Sequence, residues 1–181
     1  MAPPKRDAEY LEYITAKSPW LRRVAYLLCQ DTHRADDLVQ TTITNLYVHW
    51  PKVAKAQQPD AYARAALVNV YLAEQRSSWW KRVTPHREPH EALTAPQGPQ
   101  ASDPDPDPDL RLDLRAALAA IPPRQRTVLI LRFYCDLSVK ETAELMSCSV
   151  GNVKSQTSHG LANLRKHLDI RTPARLEEKI P

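Results

Sequence analysis

An alternating Asp-Pro run near the middle of the chain separates two folding units. Pro104, Pro106 and Pro108 alternate with aspartates at the end of a stretch, residues 83–109, whose formal charge balance is −5. Proline lacks a backbone N–H and disfavours helix at the residue before it, so the run continues neither a helix nor a central strand. Its acidic side chains also repel one another along the chain. The sequence therefore predicts an extended, acidic, Pro-rich linker over residues 83–109.

Both flanking segments have the composition of small helical domains. Only 3 glycines occur in 181 residues, and alternating β-branched runs are few. The 3 cysteines, Cys29, Cys135 and Cys148, are too widely spaced for a disulfide framework or a C-x-x-C metal site. The first residues lack the apolar run of a signal peptide, and no stretch approaches the roughly 20 apolar residues of a membrane span. We predict an all-α fold in a reducing, cytoplasmic compartment, without cofactor or membrane contact.

The segment 1–82 carries apolar stripes at helical spacing. Over residues 20–29 the stripe is formed by Leu21, Val24, Leu27 and Leu28. A longer stripe recurs at three- and four-residue steps and consists of Leu38, Val39, Thr42, Ile43, Leu46, Tyr47 and Trp50. We predict a bundle of three to four helices.

Acids and a proline mark the ends predicted for the longer helix. Asp36 and Asp37 are predicted at its start, where carboxylates suit the positive end of the helix dipole. Pro51 is predicted to end it. A loop to about Asp60 then precedes a further helix over residues 61–82.

The segment 110–170 is also helical in pattern, and a charged tail, residues 171–181, follows it. The first helix of this segment is predicted to bury the face formed by Leu110, Leu114, Ala117, Leu118 and Ile121. Pro122 and Pro123 are predicted to stop this helix and start the next, which continues to Tyr134, because proline is tolerated in a first helical turn.

The last part of this segment has the layout of a helix-turn-helix. Ser138 and Glu141 have the spacing of a capping box. Ser149 is predicted to cap the final helix after a turn over residues 147–149. The exposed face of that helix offers basic and hydrogen-bonding side chains, which suit phosphates and base edges: Asn152, Lys154, Ser155, Ser158 and His159.

The charge balance is compatible with a polyanionic partner. Residues 1–82 have a balance of +4 and residues 110–181 a balance of +5. Two basic surfaces suit nucleic acid. Ordinary solvated helix surfaces have similar balances, so the charge alone leaves both interpretations open.

Three runs of sequence together resemble extracytoplasmic-function (ECF) sigma factors. LLCQDTHRADDLVQTTITNLYVHWPKV and PDAYARAALVNVYLAEQRSSWWKR resemble region 2 of that family, and LRAALAAIPPRQRTVLILRFYCDLSVKETAELMSCSVGNVKSQTSHGLANLRKHL resembles region 4. The Trp79-Trp80 pair with the VKSQTS stretch resembles the actinobacterial SigE branch. The resemblance implies two helical domains, region 2 over 1–82 and region 4 over 110–170. It also implies a non-catalytic subunit that binds core RNA polymerase, recognises −10 and −35 promoter elements and promotes promoter melting.

The resemblance also assigns residues to these surfaces. The core-polymerase-binding stretch is Asp36, Asp37, Leu38, Val39 and Gln40. Residues matched to the −10 element, or to phosphates beside it, are Arg64, Asn69, Arg76, Trp79, Trp80, Lys81 and Arg82. Residues matched to the −35 duplex are Ser149, Asn152, Lys154, Ser155, Ser158 and His159. Trp50 is interpreted as core packing, whereas packing and base stacking both stay open for Trp79 and Trp80. An anti-sigma partner is a further expectation of the family.

The sequence departs from the family pattern at several positions of region 4. Ser147 stands where glycine is usual in the turn, a position that favours positive φ. Gln156 and His159 each replace a common arginine, which weakens the attraction to phosphates.

Alternative functions remain open from the sequence. A helix-turn-helix regulator that acts without polymerase explains the pattern of residues 110–168. A degenerate sigma-like protein that binds polymerase without opening promoters is a further alternative. An enzyme is disfavoured, because no catalytic constellation is present and Pro89 disrupts the helical spacing of His86 and His90.

Overall fold

A computed structural model describes residues 5–83 and 108–171, and within these ranges the chain is helical with no strand. The N-terminal helices are α1 (Lys5–Cys29), α2 (Thr32–Val48), α3 (Trp50–Val53) and α4 (Pro59–Val83). The C-terminal helices are α5 (Pro108–Ala120), α6 (Pro123–Leu129), α7 (Val139–Leu145) and α8 (Val150–Arg171), with a π-helical turn, Ile130–Tyr134, after α6. The all-α prediction is confirmed. None of the described helices combines the length and hydropathy needed to cross a bilayer.

The N-terminal helices pack around α1, α2 and α4. Fully buried side chains come from all three, including Leu21, Leu28, Leu46, Leu67 and Tyr71. Trp50 is buried as predicted, and its ring packs against Tyr10 and Tyr13 with centroids 5.3 and 5.1 Å away. The apolar stripes thus form the core, except that Tyr47 is 41% exposed and hydrogen-bonds Asp7 on α1.

The start of α2 differs from the prediction. The helix begins at Thr32, and the Asp31 carboxylate caps it by accepting from the Arg34 N–H at 2.8 Å. Asp36 and Asp37 therefore lie a full turn inside the helix, and their predicted position at its start is wrong. The apolar stripe begins at Leu38, so periodicity alone did not show the preceding polar turn.

The end of α2 also differs from the prediction. The helix stops at Val48, and Pro51 lies in the first turn of the short helix α3, where its missing N–H is tolerated. The predicted loop to Asp60 therefore contains a helical turn. The first helix is also longer than predicted, because α1 starts at Lys5 and includes Pro19.

The C-terminal helices follow the predicted order. Pro122 caps α6 and Pro123 is its first residue, as predicted. The capping box of α7 is formed, with the Glu141 N–H donating to Ser138 Oγ and the Ser138 N–H donating to the Glu141 carboxylate. Leu114 is an exception to the predicted buried face of α5, because it is 41% exposed.

The two halves of the chain share one hydrophobic core. Ile130, Leu131, Cys135 and Leu137 are buried in the same cluster as the side chains of α1, α2 and α4. Arg126 on α6, only 6% exposed, donates through Nε to the Leu28 carbonyl of α1 at 3.0 Å. Its Nη1 donates to the Leu118 carbonyl of α5 at 3.2 Å. One guanidinium therefore satisfies carbonyls at the C-terminal ends of two helices, where a cation is also favoured by the helix dipole.

Most of the predicted linker lies outside the described residues. At its edges, Val83 ends α4, and Pro108 and Asp109 begin α5, so these three residues of the stretch 83–109 are helical. The charged tail lies outside the described residues beyond Arg171, which ends α8.

Candidate functional site

The first two turns of α2 present acids to solvent from a fixed helix. Arg34 anchors this region by donating to the Glu74 carboxylate of α4 through Nη2 at 2.7 Å and Nε at 3.0 Å. Asp36 pairs with Arg22 of α1, with Nε and Oδ1 2.7 Å apart. Asp37 is exposed. This surface is suited to a basic partner.

The other residues of the predicted core-binding stretch divide between surface and core. Leu38 and Val39 are 3% and 6% exposed and belong to the hydrophobic core. Gln40 is exposed. Asp36, Asp37 and Gln40 are therefore available to a partner, whereas Leu38 and Val39 hold the helix in place.

Helix α4 carries the residues that the sequence matched to the −10 element. Asn69 and Arg76 are exposed and lie seven residues apart, which places them on the same face of the helix. The side chains of Trp79, Trp80, Lys81 and Arg82 lie outside the described part of the structure, although their backbone continues α4. Asn69 and Arg76 are therefore the described side chains matched to this element that face solvent together.

Arg64 has a different environment from Asn69. It is half-buried and donates to the Cys135 carbonyl at 3.5 Å, across the junction between the two halves of the chain. It also helps to lower the pKa of Glu141 at the start of α7, after the larger effect of the two hydrogen bonds with Ser138. In this arrangement Arg64 faces the C-terminal half rather than solvent.

The helix-turn-helix consists of α7, a short turn and α8. Ala143 and Val153 are buried together with Val128, so the two helices cross closely with Val153 at the corner. Ser147 adopts φ 51°, the left-handed conformation for which the family prefers glycine. Ser149 caps α8 as predicted, accepting from the Asn152 N–H at 3.1 Å.

The outer face of α8 presents a polar surface. Lys154, Ser155, Ser158 and His159 are all exposed, and at spacings of three and four residues they form one stripe. Asn152 is half-buried, and its Oδ1 is buried without a hydrogen-bond partner. The structure thus places four of the six predicted −35 residues on an open face, while Ser149 is used as a cap.

Sequence reasoning missed two cations on the same helix. Arg165 and Lys166 are exposed near the end of α8. Arg165 lies eleven residues, three turns, after Lys154 and so continues the face on which Lys154 lies. The i, i+11 spacing of Lys154 and Arg165 is visible in the sequence, but the helix-turn-helix pattern ends before Arg165.

Cys135 is buried, and the described residues hold no cluster of metal-ligating side chains. Burial raises the pKa of the Cys135 thiol to about 11, so this thiol is protonated at neutral pH. No three metal-ligating side chains converge within residues 6–76 and 112–168. His86 and His90, considered above as a metal pair, lie outside the described residues.

Both halves of the chain match family models. Residues 13–81 match sigma-70 region 2, and residues 111–164 match sigma-70 region 4. The first range includes the acids of α2 and the exposed face of α4, and the second includes the helix-turn-helix.

Curated relatives match almost the whole chain. The RNA polymerase sigma-E factors of Streptomyces avermitilis and Streptomyces coelicolor are each 32% identical to it, over 90% and 88% of this chain and 87% and 86% of the relatives. The ECF RNA polymerase sigma factor EcfG of Rhodopseudomonas palustris is 30% identical over 83% of this chain and 80% of its own length.

A solved structure has the same fold. The sigma factor RpoE of Bartonella quintana, determined in complex with the anti-sigma factor NepR, superposes with a TM-score of 0.68 at 20% identity. The match covers 90% of this chain and 98% of that chain. With both regions matched in order and relatives aligned over nearly their full length, the chain belongs to the extracytoplasmic-function sigma-70 factors of the sigma-E type.

Proposed function

We propose that this sigma factor binds core RNA polymerase through the exposed polar face at the start of α2. The observation that carries the proposal is that Asp37 and Gln40 are exposed, beside the half-buried Asp36. The helix that presents them is held to α4 by Arg34 and Glu74. Carboxylates and an amide oxygen accept hydrogen bonds from a basic partner surface, and charge-assisted bonds are the stronger ones. The Arg34–Glu74 contact also fixes this face relative to α4, the helix proposed to contact DNA.

A charge reversal tests the polymerase contact. Asp37→Arg is expected to abolish stable association with purified core RNA polymerase in gel filtration, because it replaces attraction with repulsion. Glu12→Arg, the same reversal at an exposed acid of α1, is the matched control and is expected to bind normally. Equal binding by both variants contradicts the proposal.

We further propose that α4 reads the −10 element. Asn69 offers an amide that can pair with the edge of an unstacked base, and Arg76 on the same face can neutralise a phosphate. Asn69→Ala is expected to weaken discrimination at one −10 base by about 1–3 kcal/mol, whereas Arg76→Ala weakens all sequences alike. Titration of holoenzyme with single-stranded −10 oligonucleotides varied one base at a time distinguishes these effects. A uniform loss in the Asn69 variant contradicts base reading.

The outer stripe of α8 is proposed to bind the −35 duplex. Lys154 suits a phosphate, and Ser155, Ser158 and His159 can contact phosphates or base edges. A plot of log K against log salt has a negative slope for DNA binding. Lys154→Ala is expected to make this slope less steep by about one, and Lys154→Arg to preserve it. An unchanged slope in the alanine variant removes Lys154 from the phosphate contacts.

Two other functions give different results in the same assays. A regulator acting without polymerase binds promoter duplex alone and does not associate with core polymerase. A degenerate sigma-like protein binds polymerase but leaves a 2-aminopurine probe at the −10 element stacked and dim. An active sigma factor brightens that probe on promoter opening.

The remaining parts of the proposal concern chemistry and partners. We propose that the protein is a non-catalytic specificity subunit of the cytoplasm that needs no cofactor, because polymerase supplies the chemistry. An anti-sigma partner is also proposed, supported by the fold shared with a sigma factor solved in complex with its anti-sigma factor. Co-purification of tagged protein from its own cells tests for such a partner.

A further inference from the structure

The first residue of α8 is a valine that takes no part in the hydrophobic core. Val150 is 42% exposed, whereas Val153, one turn later, is fully buried between α7 and α8. Burial is the usual reason for an aliphatic side chain, and it applies only in part here, where Val150 borders a groove lined by Ala143 and Cys148. A β-branched residue is also not favoured in an exposed helical turn. Packing therefore accounts for only part of this side chain, and the rest of it faces solvent.

The neighbours of Val150 leave it prominent at the tip of the helix. The Ser149 hydroxyl turns back to accept from the Asn152 N–H, so it is engaged as the cap. Gly151 has no side chain, and a Cβ built there would meet only Ser149 Oγ, at 3.9 Å. An approaching surface would thus meet Val150 with little obstruction from either side.

The position of Val150 on the helix suits contact with bases rather than with phosphates. In helix-turn-helix proteins the N-terminal residues of the second helix contact base edges in the major groove. Lys154 lies four residues later and is exposed on the same stripe, where it can hold the neighbouring phosphate backbone. Valine has no hydrogen-bonding group, and the thymine C5-methyl is the apolar group that the major groove displays.

We propose that Val150 reads a thymine in the −35 element by apolar contact with its C5-methyl group. This inference rests on the proposed binding of α8 to the −35 duplex and adds a base preference to it. Val150 would thereby determine base specificity although its side chain has no polar group. Other exposed aliphatic side chains, such as Val48 on α2, lie far along the chain from the DNA-reading helix.

Removal of one methyl group from the DNA tests the proposal directly. A promoter is first selected from a random library by the wild-type holoenzyme, and each −35 thymine is then replaced in turn by deoxyuridine. At one position the wild type is expected to bind about three- to fivefold more weakly, the effect of losing one buried methyl group.

Variants of the protein assign that loss to a side chain. Val150→Ala is expected to bind the thymine and deoxyuridine duplexes equally, and Val150→Ile to retain the preference. Val48→Ala is the matched control and is expected to behave as wild type. Thermal unfolding by circular dichroism checks that each variant is folded, and an exposed site predicts that all of them are.

Each contrary result has a distinct meaning. The inference is overturned if no thymine replacement weakens wild-type binding, if the selected −35 element holds no thymine, or if the preference persists in Val150→Ala. Specific binding of the −35 duplex leaves the proposed function intact in those cases. Absence of any −35 binding by the wild-type holoenzyme overturns both proposals.

Discussion

Three residues that follow helix ends adopt the left-handed conformation without being glycine. Gln30, Asp136 and Ser147 have φ values of 59°, 53° and 51°, after α1, the π-helical turn and α7. Glycine is preferred at such positions because a Cβ costs about 1 kcal/mol there. Ser147 matters most for function, because it sets the angle between the two helices of the helix-turn-helix.

Relief of this strain should stabilise the fold. Ser147→Gly is expected to raise the free energy of unfolding by about 0.5–1 kcal/mol, measured by urea denaturation. Ser155→Gly, an exposed position inside α8, is the matched control and is expected to lower it by about 0.5–1 kcal/mol. A stabilising effect of both substitutions would show that the backbone conformation is not the cause.

The capping box of α7 makes stability depend on pH. Hydrogen bonds from Ser138 lower the pKa of Glu141 from its ordinary 4.5. A lowered native pKa adds stability above the unfolded pKa, and this is lost as pH falls through the native pKa. Glu141→Gln is therefore expected to be less stable than wild type at pH 7, with the difference vanishing in acid. Thermal unfolding of both proteins at pH 7 and in acid measures the difference, and a difference that persists unchanged in acid contradicts the role of the Glu141 carboxylate.

At the scale of elements, the position of α8, the helix proposed to bind the −35 duplex, is set by its crossing with α6. Gly160 is buried at this crossing, and a Cβ there would lie 3.2 Å from Leu129 Cγ and Cδ1. Near the same point the Asn163 amide of α8 donates to the Gln125 side chain of α6 at 2.8 Å. The close approach and the hydrogen bond together fix how α8 is presented.

Enlargement of the residue at this crossing should be costly. Gly160→Val is expected to destabilise the protein by about 1–3 kcal/mol, because the packed neighbours must move. Gly151→Ala, where a Cβ makes only an ordinary contact with Ser149 Oγ at 3.9 Å, should instead stabilise α8 by up to about 1 kcal/mol. Thermal unfolding without DNA measures both. Equal effects at the two glycines would contradict the role of the crossing.

At the scale of the whole molecule, the two halves are held together through Arg126 and a shared core. The Arg126 guanidinium joins α6 to the last turns of α1 and α5.

The −10 and −35 elements are by their numbering about 25 base pairs apart, which is about 85 Å of B-DNA at 3.4 Å per pair. We do not expect two halves that share one core to span that distance. Promoter binding at both elements therefore requires them to separate, and the 24 residues at 84–107 have a maximum reach of about 80–90 Å.

Loss of the Arg126 contacts should favour the separated arrangement. Arg126→Met is expected to increase the radius of gyration in small-angle scattering while leaving the helical circular dichroism signal nearly unchanged. Each hydrogen bond to a charged group contributes about 1.5–3 kcal/mol, and the variant loses those from Arg126. Arg124→Met, at an exposed residue of the same helix, should scatter as wild type. An unchanged radius in the Arg126 variant would show that the shared core and the Arg64–Cys135 contact are enough to hold the halves together.

The sequence by itself determined the helical class and the order of the C-terminal helices. These features depend on local physics: proline stops helices at Pro122, the spacing of Ser138 and Glu141 caps one, and apolar periodicity buries Leu118 and Ile121. The exposed stripe of α8 was predictable for the same reason, since helical spacing alone sorts its faces.

Only the tertiary structure decided where the site residues face. Leu38 and Val39 are buried because other helices pack on α2. By contrast, the Asp31 cap that places Asp36 and Asp37 inside α2 is a local contact. The turn of Arg64 toward the Cys135 carbonyl depends on contacts between segments about seventy residues apart. The buried position of Arg126 has the same origin, because its partner carbonyl on Leu28 precedes it by 98 residues. Local sequence patterns carry no information about such pairings, since these form only when separate helices meet.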